Sequence, residues 1–280
     1  MILVTTAGKV GSEAVRSLTL REMPVRVLAR DPGKAKALAD AGAEIAVGDL
    51  DAPASIDRAM AGVTAVVLVS PGVPAQELNV VASAARAGVG HVVKATSNAS
   101  ADSPIARRRW QTEIEAGLAA SGLAYTLLRS NGYMQNVLAL APAIAATSSF
   151  GSSAGQGRIG MVDARDVGAV AAEVAASPAP HAGKTYWLTG PELISNYDVA
   201  AVLSKLLGRT IAYQELSFEE DRDTMIRAGI PEPIAGMNAQ AFSMIADGDA
   251  AWVTEDVPRL LGRPARTFRQ FATEYAPAFS

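Results

Sequence analysis

Apolar residues in the first half of the chain fall in short, nearly continuous runs at 2–5, 25–28, 45–47, 65–69, 91–95 and 125–128. Between them the spacing turns helical: a stretch through Val15 and Leu18, then 32–40, 53–60, 74–87 and 105–120. Apolar runs with no alternation mark strands covered on both faces, and their regular exchange with helices predicts a parallel sheet with right-handed crossovers. The fold class is therefore α/β, a doubly wound parallel sheet of the Rossmann type.

The rhythm loosens afterwards. Residues 141–160, rich in Ala, Ser and Gly, read as a helix end and a mobile surface loop. A helix over 163–176 and a late strand over 184–188 complete the first unit. From Ser195 the pattern is helical, at 197–207, 218–228, 233–246 and 268–275. The expected organisation is a dinucleotide-binding Rossmann domain over 1–190, with 131–160 contributing to the substrate cleft. A smaller, mostly helical C-terminal lobe over 191–280 caps it. Ligands of such sheets bind where the carboxyl ends of the strands meet the cap.

Composition narrows the chemistry. The 280 residues include no Cys and only His91 and His181, which removes thiolate nucleophiles, Cys-based zinc sites and His-rich metal centres. No metal site is expected, and chemistry carried by an organic cofactor is the natural alternative. A formal charge of −3 with no long like-charged block argues against nucleic acid as a partner. The basic cluster Arg107, Arg108 and Arg109 reads as a wetted helix face. A mean hydropathy of +0.17, with no apolar run of spanning length, gives no membrane partner, and a cytoplasmic protein is expected.

Candidate chemistry begins at the first strand–helix junction, Val4-Thr5-Thr6-Ala7-Gly8-Lys9-Val10-Gly11. A dinucleotide loop needs close backbone approach to the pyrophosphate and a small residue where helix meets strand. Gly8 and Gly11 supply these, with Thr6, Lys9 and Val10 between and before them; tight helix–sheet packing alone is the competing explanation. Arg30, just past the second run, favours a 2′-phosphate and hence NADP over NAD, although Asp31 beside it could pair with it. Asp49 and Leu50 follow the third run, and Ser70 and Pro71 the fourth. Lys94 interrupts the apolar run HVVKATS, either as a cofactor contact or as a side chain snorkelling to solvent.

These segments, with LRSNGYMQN, VDARDVGAVAAEVA, TYWLTGPE and the terminal LLGRPARTFRQFATEY, resemble the NmrA-like group of atypical short-chain dehydrogenases/reductases across nearly the whole chain. That group includes NAD(P)H:quinone oxidoreductases, triphenylmethane reductases and regulatory nucleotide sensors. The resemblance implies that Gly8 and Gly11 lie over the pyrophosphate and that Arg30 reads the 2′-phosphate. It implies Asp49 and Leu50 at the adenine, Ser70 and Pro71 beside the ribose, and Lys94 and Thr96 near the nicotinamide. The loop Asn131, Gly132, Tyr133, Met134 and Asn136 would join the cofactor and substrate pockets, and Asp163, Arg165 and Asp166 would hold the domains together. The chain departs from its relatives in two places. Its glycine turn is one residue shorter and lacks the first glycine, and Gln111 stands where many relatives carry His.

No Tyr-x-x-x-Lys is present. Carbonyl reduction through a tyrosine acid is thereby disfavoured, and hydride transfer to a conjugated acceptor, which needs less proton assistance, is favoured. Tyr133 and Lys94 are the candidate catalytic residues. Asn131, Tyr133, Met134, Asn136, Phe218 and Trp252 are the candidate substrate contacts. The expected protein is an NADPH-dependent oxidoreductase, monomeric or homodimeric, acting on a quinone-like or other apolar conjugated small molecule. A non-enzymatic NAD(P) sensor, and an isomerase, lyase or cyclase that kept the fold, are the alternatives.

Overall fold

A computed structural model describes residues 1–280. Strands β1 (Ile2–Val4), β2 (Val25–Ala29), β3 (Glu44–Val47), β4 (Ala65–Leu68), β5 (His91–Thr96) and β6 (Tyr125–Ser130) follow one another along the chain. Two short strands, β7 (Ser149–Ser152) and β8 (Arg158–Ile159), lie outside their sheet, and β9 (Thr185–Leu188) joins its far edge. The order β3-β2-β1-β4-β5-β6-β9, with every pairing parallel, is the doubly wound arrangement.

The central strands β1 and β4 are apolar throughout because each feeds two cores. Ile2 and Val4 of β1 and Val67 of β4 face one side, against α1 (Lys9–Thr19). Leu3, Val66 and Leu68 face the other. That second face is covered by α3 (Pro53–Ala59), α4 (Pro74–Arg86) and α5 (Ala106–Ala120), while the short α2 (Lys36–Asp40) follows β2. Fully buried side chains such as Leu118 contribute about 1.5–3 kcal/mol each. The strand pleat thus sorts one apolar run into two cores.

Residues 141–160 correct the expectation of a surface loop. They form α6 (Ala141–Thr147), β7 and β8, and Ile144, Phe150, Ala154 and Ile159 are buried. Next comes α7 (Ala164–Ala176), which crosses α1 so closely that a Cβ on Gly168 would lie 2.8 Å from the Val10 carbonyl oxygen.

Beyond β9 the chain forms β10 (Ile194–Ser195), α8 (Asn196–Leu207), β11 (Ala212–Glu215), α9 (Phe218–Arg227), α10 (Glu232–Ala246), α11 (Asp256–Leu261) and α12 (Phe268–Tyr275). Of these, α11 packs back on α7 and β9, with Val257 in the sheet core, and the others build a C-terminal lobe. The lobe is mostly but not purely helical, since β11 pairs in parallel with β7 and β10 pairs antiparallel with β8. Its core joins Val199, Leu203, Phe268 and Phe271 to Met134, Ile144 and Phe150. Small residues in 141–160 hid this packing because the partner strand lies some sixty residues further on. No helix is long and apolar enough to cross a membrane.

Candidate functional site

The carboxyl ends of β1, β2, β4, β5 and β6 form one rim. At β1 the chain turns through Thr6 and Ala7 into α1, whose N-cap is Gly8. None of residues 5–11 has a positive φ, so the missing first glycine costs no backbone strain. Gly11 is sterically obligatory, since a Cβ there would lie 1.9 Å from the Thr6 carbonyl oxygen. Gly8 is not packed against anything: its Cβ would meet only the Thr6 hydroxyl, at 3.7 Å. The first intrahelical bond runs from the Ser12 N–H to the Gly8 carbonyl at 2.8 Å, which leaves the Lys9, Val10 and Gly11 amides directed outward from the helix start. An open glycine followed by free amides and a positive helix end is a cradle for a phosphate. Lys9 is exposed, its ammonium 3.5 Å from the Gln135 carbonyl, and Val10 is core. Beside the turn a cleft of about 270 Å³ opens between the starts of α1 and α7, lined among others by Ser12, Gln135, Arg165 and Tyr275.

At the end of β2, Arg30 is exposed and ion-pairs with no side chain, whereas Asp31 accepts a 2.9 Å bond from the Gly33 N–H and caps the following turn. The Arg-Asp pairing that the sequence allowed is absent. After β3, Asp49 accepts from the Asp51 N–H at 3.0 Å, and its own N–H donates to the Ser55 hydroxyl at 2.9 Å. Leu50 is a core side chain, so only its backbone and Asp49 reach this rim.

The middle of the rim is stitched together. Thr5, fully buried, donates to the Val69 carbonyl at 2.6 Å and accepts from the Val69 N–H at 2.9 Å, fastening the ends of β1 and β4. The Ser70 hydroxyl donates to Glu77 Oε1 at 2.6 Å and accepts from the Gly72 N–H at 2.9 Å, while Pro71 projects into solvent. Lys94 does not snorkel. It is 1 % exposed, with Nζ 2.8 Å from Glu77 Oε2, 3.1 Å from Oε1 and 2.5 Å from the Ala95 carbonyl. Its ammonium is enclosed within the protein. A buried ammonium needs a buried anion, and α4 supplies one.

Thr96 Oγ1 lies 2.9 Å from Gln111 Oε1 and 3.1 Å from Glu115 Oε1, its single proton shared between them, and Glu115 is in turn bound by Arg129. Gln111 is therefore the uncharged member of a hydrogen-bonded wall that also holds the Glu115–Arg129 ion pair.

Beyond β6, Asn131 donates to the Ala250 carbonyl at 3.0 Å and accepts from the Gly132 N–H at 2.9 Å, binding this loop to the lobe. Tyr133 is half-buried against the α1/α7 core, and Gly132 and Met134 hydrogen-bond to Val162. Burial pushes the Tyr133 phenol above its usual value, against a smaller opposite pull from the neighbouring Ser130 hydroxyl. Met134 is lobe core at 1 % exposure, which removes its side chain from the substrate contact expected of it, while Asn136 is exposed. Phe218 opens α9 half-buried, and Trp252 packs edge-on against Trp187, with ring centroids 5.5 Å apart.

Of the basic cluster only Arg109 is exposed, as a wetted face requires; Arg107 and Arg108 are not. Arg107 donates to Asn238 Oδ1 at 2.9 Å and Arg108 pairs with Asp249, so α5 holds α10 and its following turn over the rim. Burial, with Arg108 alongside, lowers the Arg107 guanidinium. At the back of the cleft, Asp163 caps α7 and bonds Gln135 and Arg165, Arg165 reaches Glu274, and Asp166 receives Arg263 and Arg266. Sequence reasoning missed Glu77, although a signal existed: Glu77 and Lys94 are lone opposite charges in apolar stretches of neighbouring elements.

The sequence pattern of the NmrA-like family matches residues 1–256. The chain is 36 % identical over 283 residues to the NAD(P)H azoreductase of Xenophilus azovorans, covering 100 % of this chain and 99 % of that one. It is 38 % identical over 287 residues to the (4-alkanoyl-5-oxo-2,5-dihydrofuran-3-yl)methyl phosphate reductase of Streptomyces griseus, with the same coverage. The crystal structure of an NADPH-dependent quinone oxidoreductase of Escherichia coli, complexed with NADPH, superposes with a TM-score of 0.88 at 32 % identity, over 98 % of this chain and 99 % of that one.

Proposed function

Because the chain belongs to the NmrA-like family, we propose that it is an NADPH-dependent oxidoreductase whose acceptor is a conjugated, apolar small molecule such as a quinone. The α1 amides and Gly8 would hold the pyrophosphate, and the free Arg30 fork would take the 2′-phosphate in bidentate fashion. Bound NADPH supplies the hydride.

The acceptor class rests on one observation. Tyr133 is the candidate acid at the end of β6, its phenol is raised by burial, and the rim's lysine is locked to Glu77 within the protein. A phenol that no cation assists holds its proton firmly at neutral pH and is a poor general acid for an isolated alkoxide. A conjugated acceptor spreads the incoming charge over its own π system and can be protonated by water. Tyr133 then serves as a wall and hydrogen-bond donor, and Asn131, fixed through Ala250, sets the loop that carries it. The remaining work is proximity in a cleft between sheet and lobe.

Fluorescence titration with NADPH and NADH tests the cofactor, and loss of reduced-nicotinamide absorbance with a simple quinone or a simple aliphatic ketone tests the acceptor. The expected result is tighter NADPH binding and turnover of the quinone alone. Absence of NADPH binding below roughly millimolar concentration, some 4 kcal/mol of affinity, would overturn the reading.

A further inference from the structure

The least expected feature of the rim is the ion pair beneath it. Glu77 and Lys94 are 0 % and 1 % exposed, and a buried pair of this kind is a poor source of stability, since apolar residues of equal volume do as well. Its contacts link the end of β5 to one turn. Lys94 Nζ reaches Glu77 and the Ala95 carbonyl at the end of β5, Glu77 Oε1 takes the Ser70 proton, and Ser70 Oγ takes the Gly72 N–H. Val69, one residue before Ser70, is bonded to Thr5 at the entry to the glycine turn.

A carboxylate has no proton to give, so the Ser70 hydroxyl must donate inward to Glu77. Its oxygen then has two lone pairs to offer, and the Gly72 N–H occupies one. The other can only accept, and Ser70 is partly exposed at the carboxyl end of β4, where ligands of such sheets bind. Without the pair, the hydroxyl would rotate freely between donor and acceptor roles.

We propose that Glu77 and Lys94 are positioning residues for the dinucleotide: they fix the Ser70 oxygen as an acceptor for a ribose hydroxyl of the cofactor and hold the 70–72 turn against the glycine turn. This rests on the dinucleotide reading above. Wild-type protein that binds no NADPH defeats that reading, whereas wild-type binding with every variant unchanged defeats only this one.

The test is a cycle of Ser70→Ala, the paired Glu77→Leu/Lys94→Met, and the triple variant. NADPH and 2′,5′-ADP dissociation constants are read by fluorescence and calorimetry, and hydrogen exchange at the Gly72 amide is read without ligand. Ser70→Ala and the paired variant should each weaken NADPH about three- to tenfold, the worth of one hydrogen bond. The triple variant should be no weaker than either, and Gly72 exchange should quicken in all three. With a quinone acceptor, KM for NADPH should rise while kcat stays within about twofold, because the contact is uniform binding. Equal loss for 2′,5′-ADP assigns the hydroxyl to the adenosine ribose, and loss for NADPH alone assigns it to the nicotinamide ribose. NADPH affinity unchanged in the paired variant, or a triple-variant loss equal to the product of the two, overturns the proposal. Ser70→Ala, on a surface turn, decides by itself if the paired variant does not fold: unchanged NADPH affinity there also overturns it.

Discussion

Strand β5 carries a buried polar network at each end, and the two are built differently. At the carboxyl end, Lys94 and Glu77 are charged and aimed at a turn on the cleft rim. At the amino end, the chain's two histidines form a neutral chain: His91 Nε2 to Thr126 Oγ1 at 2.9 Å, Thr126 to the His181 carbonyl at 2.7 Å, and His181 Nδ1 to the Tyr186 hydroxyl at 2.8 Å. Because Thr126 spends its proton on the His181 carbonyl, His91 must hold its own on Nε2. In open α/β sheets ligands gather at the carboxyl edge. The charged network sits there beside the binding turn, while the neutral one ties β5, β6 and the approach to β9 together.

The largest break in this comparison comes from halving the ion pair. Glu77→Leu alone strands a buried ammonium and should cost about 3–5 kcal/mol of stability, read by chemical denaturation. Leucine and methionine at both positions together should restore stability to near the wild-type value.

Arg30→Ala probes the rim at its far end. Losing a charge-assisted contact to the 2′-phosphate should weaken NADPH about ten- to a hundredfold, with NADH affected less than about twofold. Equal losses for both cofactors would refute the role given to Arg30.

The amino-end network predicts a pH dependence. Burial lowers both histidines below 6.5; His181 adds to the effect at His91 and Lys184 to that at His181, where Glu173 opposes weakly. A group whose folded pKa is depressed contributes stability that is complete above the unfolded value and is lost as pH falls through the folded one. Denaturation midpoints should therefore decline from pH 7 toward pH 5. His91→Gln, which keeps a donor for Thr126, should flatten that decline, and an unaltered slope would show that His91 does not set it.

The smallest effect is expected at Tyr133→Phe. With a quinone, kcat should fall less than about tenfold, since water can complete the protonation. A loss of a hundredfold or more, the mark of an essential general acid, would reverse the assignment of the acceptor class.

The sheet was legible in the sequence because its strands are mostly apolar runs exchanging with helices, and β1 and β4 are apolar at every position. The short segments of the lobe were not. β7 and β11 pair across sixty residues, and neither run is apolar enough to announce itself. At the site, Gly11 and Arg30 were readable from their places after strands. The same residue-type logic misjudged side chains whose environment depends on distant partners: Arg108 found Asp249, Lys94 found Glu77, and Met134 joined a core completed by Phe268.

The sequence by itself determined the doubly wound sheet, the glycine turn that opens its first helix and the absence of thiol chemistry, since these follow from local periodicity and composition. Only the tertiary structure decided which charges are buried, which are free and which hold the lobe in place. A charge's role is set by its nearest counter-charge and its distance from water, and neither is a property of neighbours along the chain.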